Sequence, residues 1–110
     1  MEIDIEKVLN YMRDHATKYA QAKANRVYLE EFRKTLKSKQ MIQAQKDGVS
    51  ALAAQERDAY ASPEYETLLD GLKVAVEEEE ALRWMLIAAQ AKVEVWRSMQ
   101  ATNRAEGKNV

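Results

Sequence analysis

The sequence has no cysteine, one proline (Pro63), three glycines (Gly48, Gly71, Gly107) and one histidine (His15) in 110 residues. Without cysteine there can be no disulfide framework, thiolate zinc site, iron–sulfur ligation or cysteine nucleophile. No apolar run approaches the roughly 18 residues that a membrane-spanning helix requires. The opening stretch MEIDIEKVLN carries Glu2, Asp4 and Glu6, where a secretory leader has basic residues ahead of a continuous apolar segment. A cytoplasmic setting without membrane association is the expectation. An excess of one charge sign is missing too: 17 basic residues face 18 acidic ones, so there is no global reason to bind nucleic acid or an anionic membrane. No phosphate loop, dinucleotide fingerprint, HExxH, GxSxG or EF-hand loop occurs. The expectation is a protein that is not an enzyme, with no catalytic residues and no cofactor.

The same scarcity of breakers leaves almost the whole chain free to be helical, and its Ala, Leu, Glu, Lys, Gln and Arg content favours that. From about residue 3 to 45, Ile5, Val8, Met12, His15, Tyr19, Ala22, Leu29, Phe32 and Leu36 step by threes and fours along one helical face, except for the step of seven from Ala22 to Leu29 in which Arg26 falls. Arg26 and Arg33 interrupt or flank it. After the Asp47-Gly48 break, a short connector helix over about 49–60 is expected to bury Val49, Leu52, Ala53 and Tyr60. Ser62-Pro63 then reads as a helix start, with serine capping, proline in the first turn, and Glu64 and Glu66 at the positive end of the helix dipole. From 63 to about 104 the stripe is cleaner: Tyr65, Leu68, Leu72, Ala75, Glu79, Leu82, Leu86, Ala89, Val93, Trp96 and Gln100. Residues 105–110 are expected to form a disordered tail.

The expected fold is therefore all-α: one domain over 1–104, folded as an elongated antiparallel helical hairpin with a short connector helix. Antiparallel pairing sets Leu36 against Leu69, Leu29 against Val76, Tyr19 against Leu86, Met12 against Val93 and Leu9 against Trp96. In that register Arg26, the main charged interruption of the first stripe, meets Glu79, that of the second, and the pair fixes register and orientation. Trp84, Leu86, Ile87, Val95 and Trp96 spread around more of the last helix than one neighbour can cover. A homodimer completing a four-helix bundle, or a higher homo-oligomer, is expected to cover the rest.

Charge is unevenly placed. Residues 1–48 carry ten bases and seven acids, and residues 49–110 carry seven bases and eleven acids. Arg33, Lys34, Lys37, Lys39 and Lys46 lie in a stretch without an acid, preceded by Tyr28 and Phe32, a set suited to phosphates and stacked bases. Residues 56–80, with nine acids and two bases, are expected to fold back beside it and neutralise it. Glu77 to Glu80 cannot converge on one metal ion, because successive helical residues point about 100° apart. No metal site is expected. His15 has no nucleophile motif beside it and reads as a core or interface residue. Trp84, Met85, Trp96 and Met99 suit an association surface, since tryptophan and methionine are enriched where interfaces anchor.

The stretch EALRWMLIAAQAKVEVWRSMQATNR, preceded by YETLLDGLKVAVEEEE, resembles small all-helical proteins of tailed bacteriophages and prophages, often encoded near replication and recombination genes. The resemblance lies in Leu82-Arg83 followed by Ala89, Val93, Trp96, Arg97 and Asn103-Arg104. It implies a bacterial cytoplasmic setting and an accessory role, and supplies no catalytic residue. The leading expectation is an interaction protein that binds and modulates a phage or host DNA-processing protein. The alternatives are a direct DNA-binding factor using Arg33, Lys34, Lys37 and Lys39, and an inhibitor of a host defence nuclease.

Overall fold

Few breakers in the sequence become few breaks in the structure. The computed structural model describes residues 2–108, and its elements are α1 (Ile5–Lys46), α2 (Leu52–Tyr60) and α3 (Pro63–Lys108), with no strand among the described residues. The fold is all-α.

Each boundary has a local cause. Ahead of α1, the Asp4 carboxylate accepts a hydrogen bond from the backbone N–H of Lys7 at 3.2 Å, satisfying one of the orphan amides of the first turn. The end of α1 is set by Gly48, whose φ of 97° lies in the left-handed region that side chains with a Cβ disfavour. There the Gly48 N–H donates to the Gln45 carbonyl at 3.1 Å and the Val49 N–H to the Ala44 carbonyl at 3.0 Å. This doubly bonded stop consumes two of the last carbonyls of the helix. At the start of α3, the Ser62 hydroxyl accepts from the Tyr65 N–H at 3.2 Å and donates to the Ala59 carbonyl at 2.8 Å. One side chain thereby closes α2 and opens α3.

Two boundaries differ from expectation. The connector helix starts at Leu52, after Gly48 has turned the chain. The Gln55 side-chain amide donates to the carbonyls of Val49 at 2.8 Å and Ser50 at 3.5 Å, so those two residues form a loop tied down by Gln55. Its inward residues are Gln55 and Ala59, the latter 0% exposed, whereas Leu52 is 73% exposed and Ala53 and Tyr60 are also exposed. A nine-residue helix has one narrow inward side, and here a small residue permits the close approach. At the other end of the chain, α3 runs through Ala105, Glu106 and Gly107 to Lys108. The only poor helix former there is Gly107, which disfavours helix by about 1 kcal/mol relative to alanine. The remainder of the expected tail, Asn109 and Val110, lies outside the described residues.

The chain packs as two compact units, one being Gln21–Glu79 and the other drawn from the residues on either side of it. A pair of long helices has no common centre, since each stretch packs only on the stretch beside it. In the Gln21–Glu79 unit, Leu36, Tyr65 and Leu68 form a cluster with Leu29 and Phe32 packed against it, and Ala22, Ala44 and Ala75 are buried. Leu36 at Leu68 and Arg26 at Glu79 make this stretch of α1 antiparallel to α3. The inward residues are those of the 65–68–72–75–79 stripe, so Leu69 and Val76, expected opposite Leu36 and Leu29, are exposed instead. One position along a helix is a turn of about 100°. In the other unit, Ala89 is buried, with Val8, Met12, His15, Tyr19, Leu82, Leu86, Val93 and Trp96 half-buried. Leu9, one position off its stripe, is exposed. Among the described residues no large side chain is fully enclosed.

The two internal glycines make opposite predictions. A Cβ on Gly71, within α3, meets nothing within 4 Å and the backbone is helical, so Gly71→Ala should stabilise by about 0.5–1 kcal/mol. Gly48→Ala places a side chain at positive φ and should destabilise by about 1–2 kcal/mol. Thermal melts followed by circular dichroism should show Tm rising for the first and falling for the second, by roughly 4–8 °C per kcal/mol.

Candidate interaction face

Between Glu80 and Lys108, α3 carries two longitudinal stripes. One is Leu82, Leu86, Ala89, Val93 and Trp96, which are buried or half-buried; Leu86 shares a groove with Met12, Ala16 and Tyr19 of α1. The other, on the opposite side of the helix, is Trp84, Ala88, Ala91, Val95, Ser98 and Thr102, spaced 4-3-4-3-4. All six are exposed and none is charged. Trp84 is 57% exposed and Val95 40%, and Ile87 widens the apolar strip. Helical geometry puts Arg83 and Glu94 along one margin and Met85, Lys92 and Met99 along the other.

The indole of Trp84 is held in place. Its Nε1 donates to Glu80 Oε2 at 3.1 Å, and the Arg83 guanidinium lies 4.7 Å from the ring centroid while itself bonding the Glu80 carboxylate at 3.1–3.3 Å. A cation over the ring and a carboxylate at its N–H fix an otherwise mobile aromatic group. Of the four residues expected to serve association, Trp84 and Met85 are exposed, Trp96 belongs to the half-buried inward stripe, and Met99 is half-buried at the margin. Met99 also lines a shallow groove on α3 with Val95, Ser98 and Thr102.

Arg26 lies on Glu79. Its Nε and Nη2 donate to the two carboxylate oxygens, the latter at 3.1 Å, and its Nη1 donates to Glu30 at 2.9 Å. Glu79 is only 5% exposed. The hydrogen bonds that Arg26 donates to Glu79 and then to Glu30 push its guanidinium above its already high ordinary range, so the guanidinium stays charged at any ordinary pH. The acidic run fans out around it: Glu77 and Glu78 are exposed, Glu79 meets Arg26, and Glu80 serves Arg83 and Trp84. Among the described residues no group of three or more His, Cys, Asp or Glu is arranged to hold a metal ion, and no helix is long and apolar enough to cross a membrane.

The basic stretch is spread around α1. Arg33 and Lys37 are one turn apart on the same side, while Lys39 lies on another and sits 5.8 Å from the Phe32 ring centroid. Lys34 pairs with Glu31 at 3.4 Å and Lys37 with Glu56 at 3.2 Å, and the Lys37 ammonium is 5.0 Å from the centroid of Tyr60. Tyr60 first, and then Glu56, raise the Lys37 pKa. His15 is half-buried, stacked on Tyr11 at 3.9 Å between centroids, with Nδ1 2.9 Å from the Tyr11 carbonyl. No protein family, curated protein or solved structure matches the chain.

Two predictions follow the charged pairs. Glu79→Ala leaves the guanidinium with Glu30 alone beside the inward stripe and should lower Tm by about 5 °C, while the double change Arg26→Met with Glu79→Leu should recover most of that loss. A Tm equal to wild type in the single variant would contradict the packing described. For Lys37, a folded-state pKa above the unfolded one means that its stabilisation is complete below the ordinary lysine pKa and is lost as pH rises through the folded value. Unfolding midpoints between pH 9 and 12 should therefore fall less steeply in Lys37→Met than in wild type.

Proposed function

We propose that this chain is a non-enzymatic helical interaction protein that lays the outward face of α3 against another protein and modulates it by that contact. The observation that carries the reading is the uncharged strip from Trp84 to Thr102, exposed along its whole length and headed by a tryptophan fixed by Glu80 and Arg83. Tryptophan is enriched among binding hot spots. A side chain already held in one conformation loses little freedom on association. Self-association and contact with a partner protein both draw on this strip. The phage resemblance points to a DNA-processing protein of replication or recombination as the partner modulated, in a bacterial cytoplasm. An inhibitor of a host nuclease would use the same kind of surface.

The test is a comparative pull-down from prophage-bearing bacterial cells with three baits: wild type, Trp84→Ser and Val95→Ser. A protein enriched by wild type and lost with both variants is the expected result, and its identity names the process served. Equal capture by all three, or none by any, would sink the assignment of this face.

A further inference from the structure

Resting on that reading, we infer that one occupant of the strip is a second copy of this chain, with the two α3 helices crossing antiparallel so that Trp84 of each lies opposite the partner's Val95 and Ala88 opposite the partner's Ala91. The order bulky, small, small, bulky in Trp84, Ala88, Ala91 and Val95 makes the strip complementary to itself under a two-fold axis, the condition an isologous interface must satisfy. The two central alanines let the helices approach closely, and the outer residues close the ends.

Side-chain direction agrees with this register. A helical side chain leans toward the N-terminus of its own helix. In an antiparallel pair that lean carries Trp84 past the partner's Val95, toward the shallow groove bounded by Val95, Ser98, Met99 and Thr102. Charge selects the register as well. Sliding the helices by one heptad, so that Trp84 faces the partner's Thr102, would centre the crossing near Val93 and set Glu94 against the partner's Glu94 and Lys92 against the partner's Lys92. In the register inferred here, Glu94 faces the partner's Ile87 and Lys92 the partner's Met85, so neither meets its own kind.

From Glu80 to Thr102 the seam is about 33 Å long. One helix pair of that length lies near the lower end of the area range for stable interfaces, so the dimer should dissociate on dilution, with a Kd on the order of micromolar. This back-to-back seam replaces the four-helix bundle as the form of self-association.

Sedimentation equilibrium of the full chain over about 1–200 µM should show a monomer–dimer equilibrium. Ala88→Arg and Ala91→Arg each put a charge at the centre of the exposed strip, and each should weaken the dimer at least about tenfold with unchanged helical circular dichroism. Tyr28→Arg, an exposed aromatic position on α1, should leave it intact. Orientation is read by disulfide trapping, which the absence of native cysteine makes clean: mixing Ala88→Cys with Ala91→Cys chains should give the mixed 88–91 disulfide in excess over 88–88 and 91–91. A chain monomeric throughout, a dimer insensitive to both arginine variants, or an excess of like-position disulfides would overturn the inference. If the chain is monomeric and yet the pull-down shows capture that depends on Trp84, self-association falls and the interaction reading stands.

Discussion

A straight helix can bury only the side it turns toward a neighbour, and in this chain two helices of more than forty residues have mainly each other to turn to. Everything else follows from that constraint. Each helix needs one inward stripe for its neighbour, and whatever apolar surface lies elsewhere stays in water. Four of the buried positions on the helices are alanines, Ala22, Ala44, Ala75 and Ala89, which have little side chain to enclose. The absence of any fully enclosed large side chain among the described residues is the direct outcome, because enclosure needs neighbours on several sides.

A seam of this kind is weakly specified along its length, since a slide by one heptad would still match small and apolar residues. Arg26 and Glu79 supply the distinction. With Glu79 nearly buried and its two oxygens both taken by one guanidinium, a slide would strand a carboxylate against apolar side chains, and that penalty exceeds what the pair itself contributes. Gln55 and Ser62 act similarly at the α1–α2 and α2–α3 turns: each holds backbone carbonyl or amide groups that a shifted connection would leave unpaired.

The legibility of the sequence tracks these same physical distinctions. The two stripes, the Ser62 cap and the meeting of Arg26 with Glu79 could be read because a charge inside an apolar 3,4 pattern is conspicuous, and because Ser-Pro has a local meaning independent of the rest of the fold. The pairing of Leu36 with Leu69 missed by one residue, and Val76, expected opposite Leu29, is exposed, since a register drawn from numbering alone ignores the turn of about 100° between neighbours. The connector misled for a different reason. In nine residues, hydrophobicity favours Leu52 and Tyr60, but closeness of approach favours Ala59, and a glutamine that ties a loop leaves no apolar signature at all.

The outward strip of α3 is the subtlest case. In the sequence, Trp84 and Val95 look like surplus breadth on an already apolar helix, and Trp96 looks like their equal. Only with α1 in place on the other side does the surplus resolve into a second, separate 4-3 repeat in which Trp96 has no part. Alanine and serine hide that repeat, because they are neither apolar enough to mark a core nor polar enough to mark solvent. They are also what lets one helix backbone lie close to another. A strip of small residues headed by a tryptophan that Glu80 and Arg83 contact therefore stays in water, because the inward stripe on the opposite side of α3 is the one turned to α1.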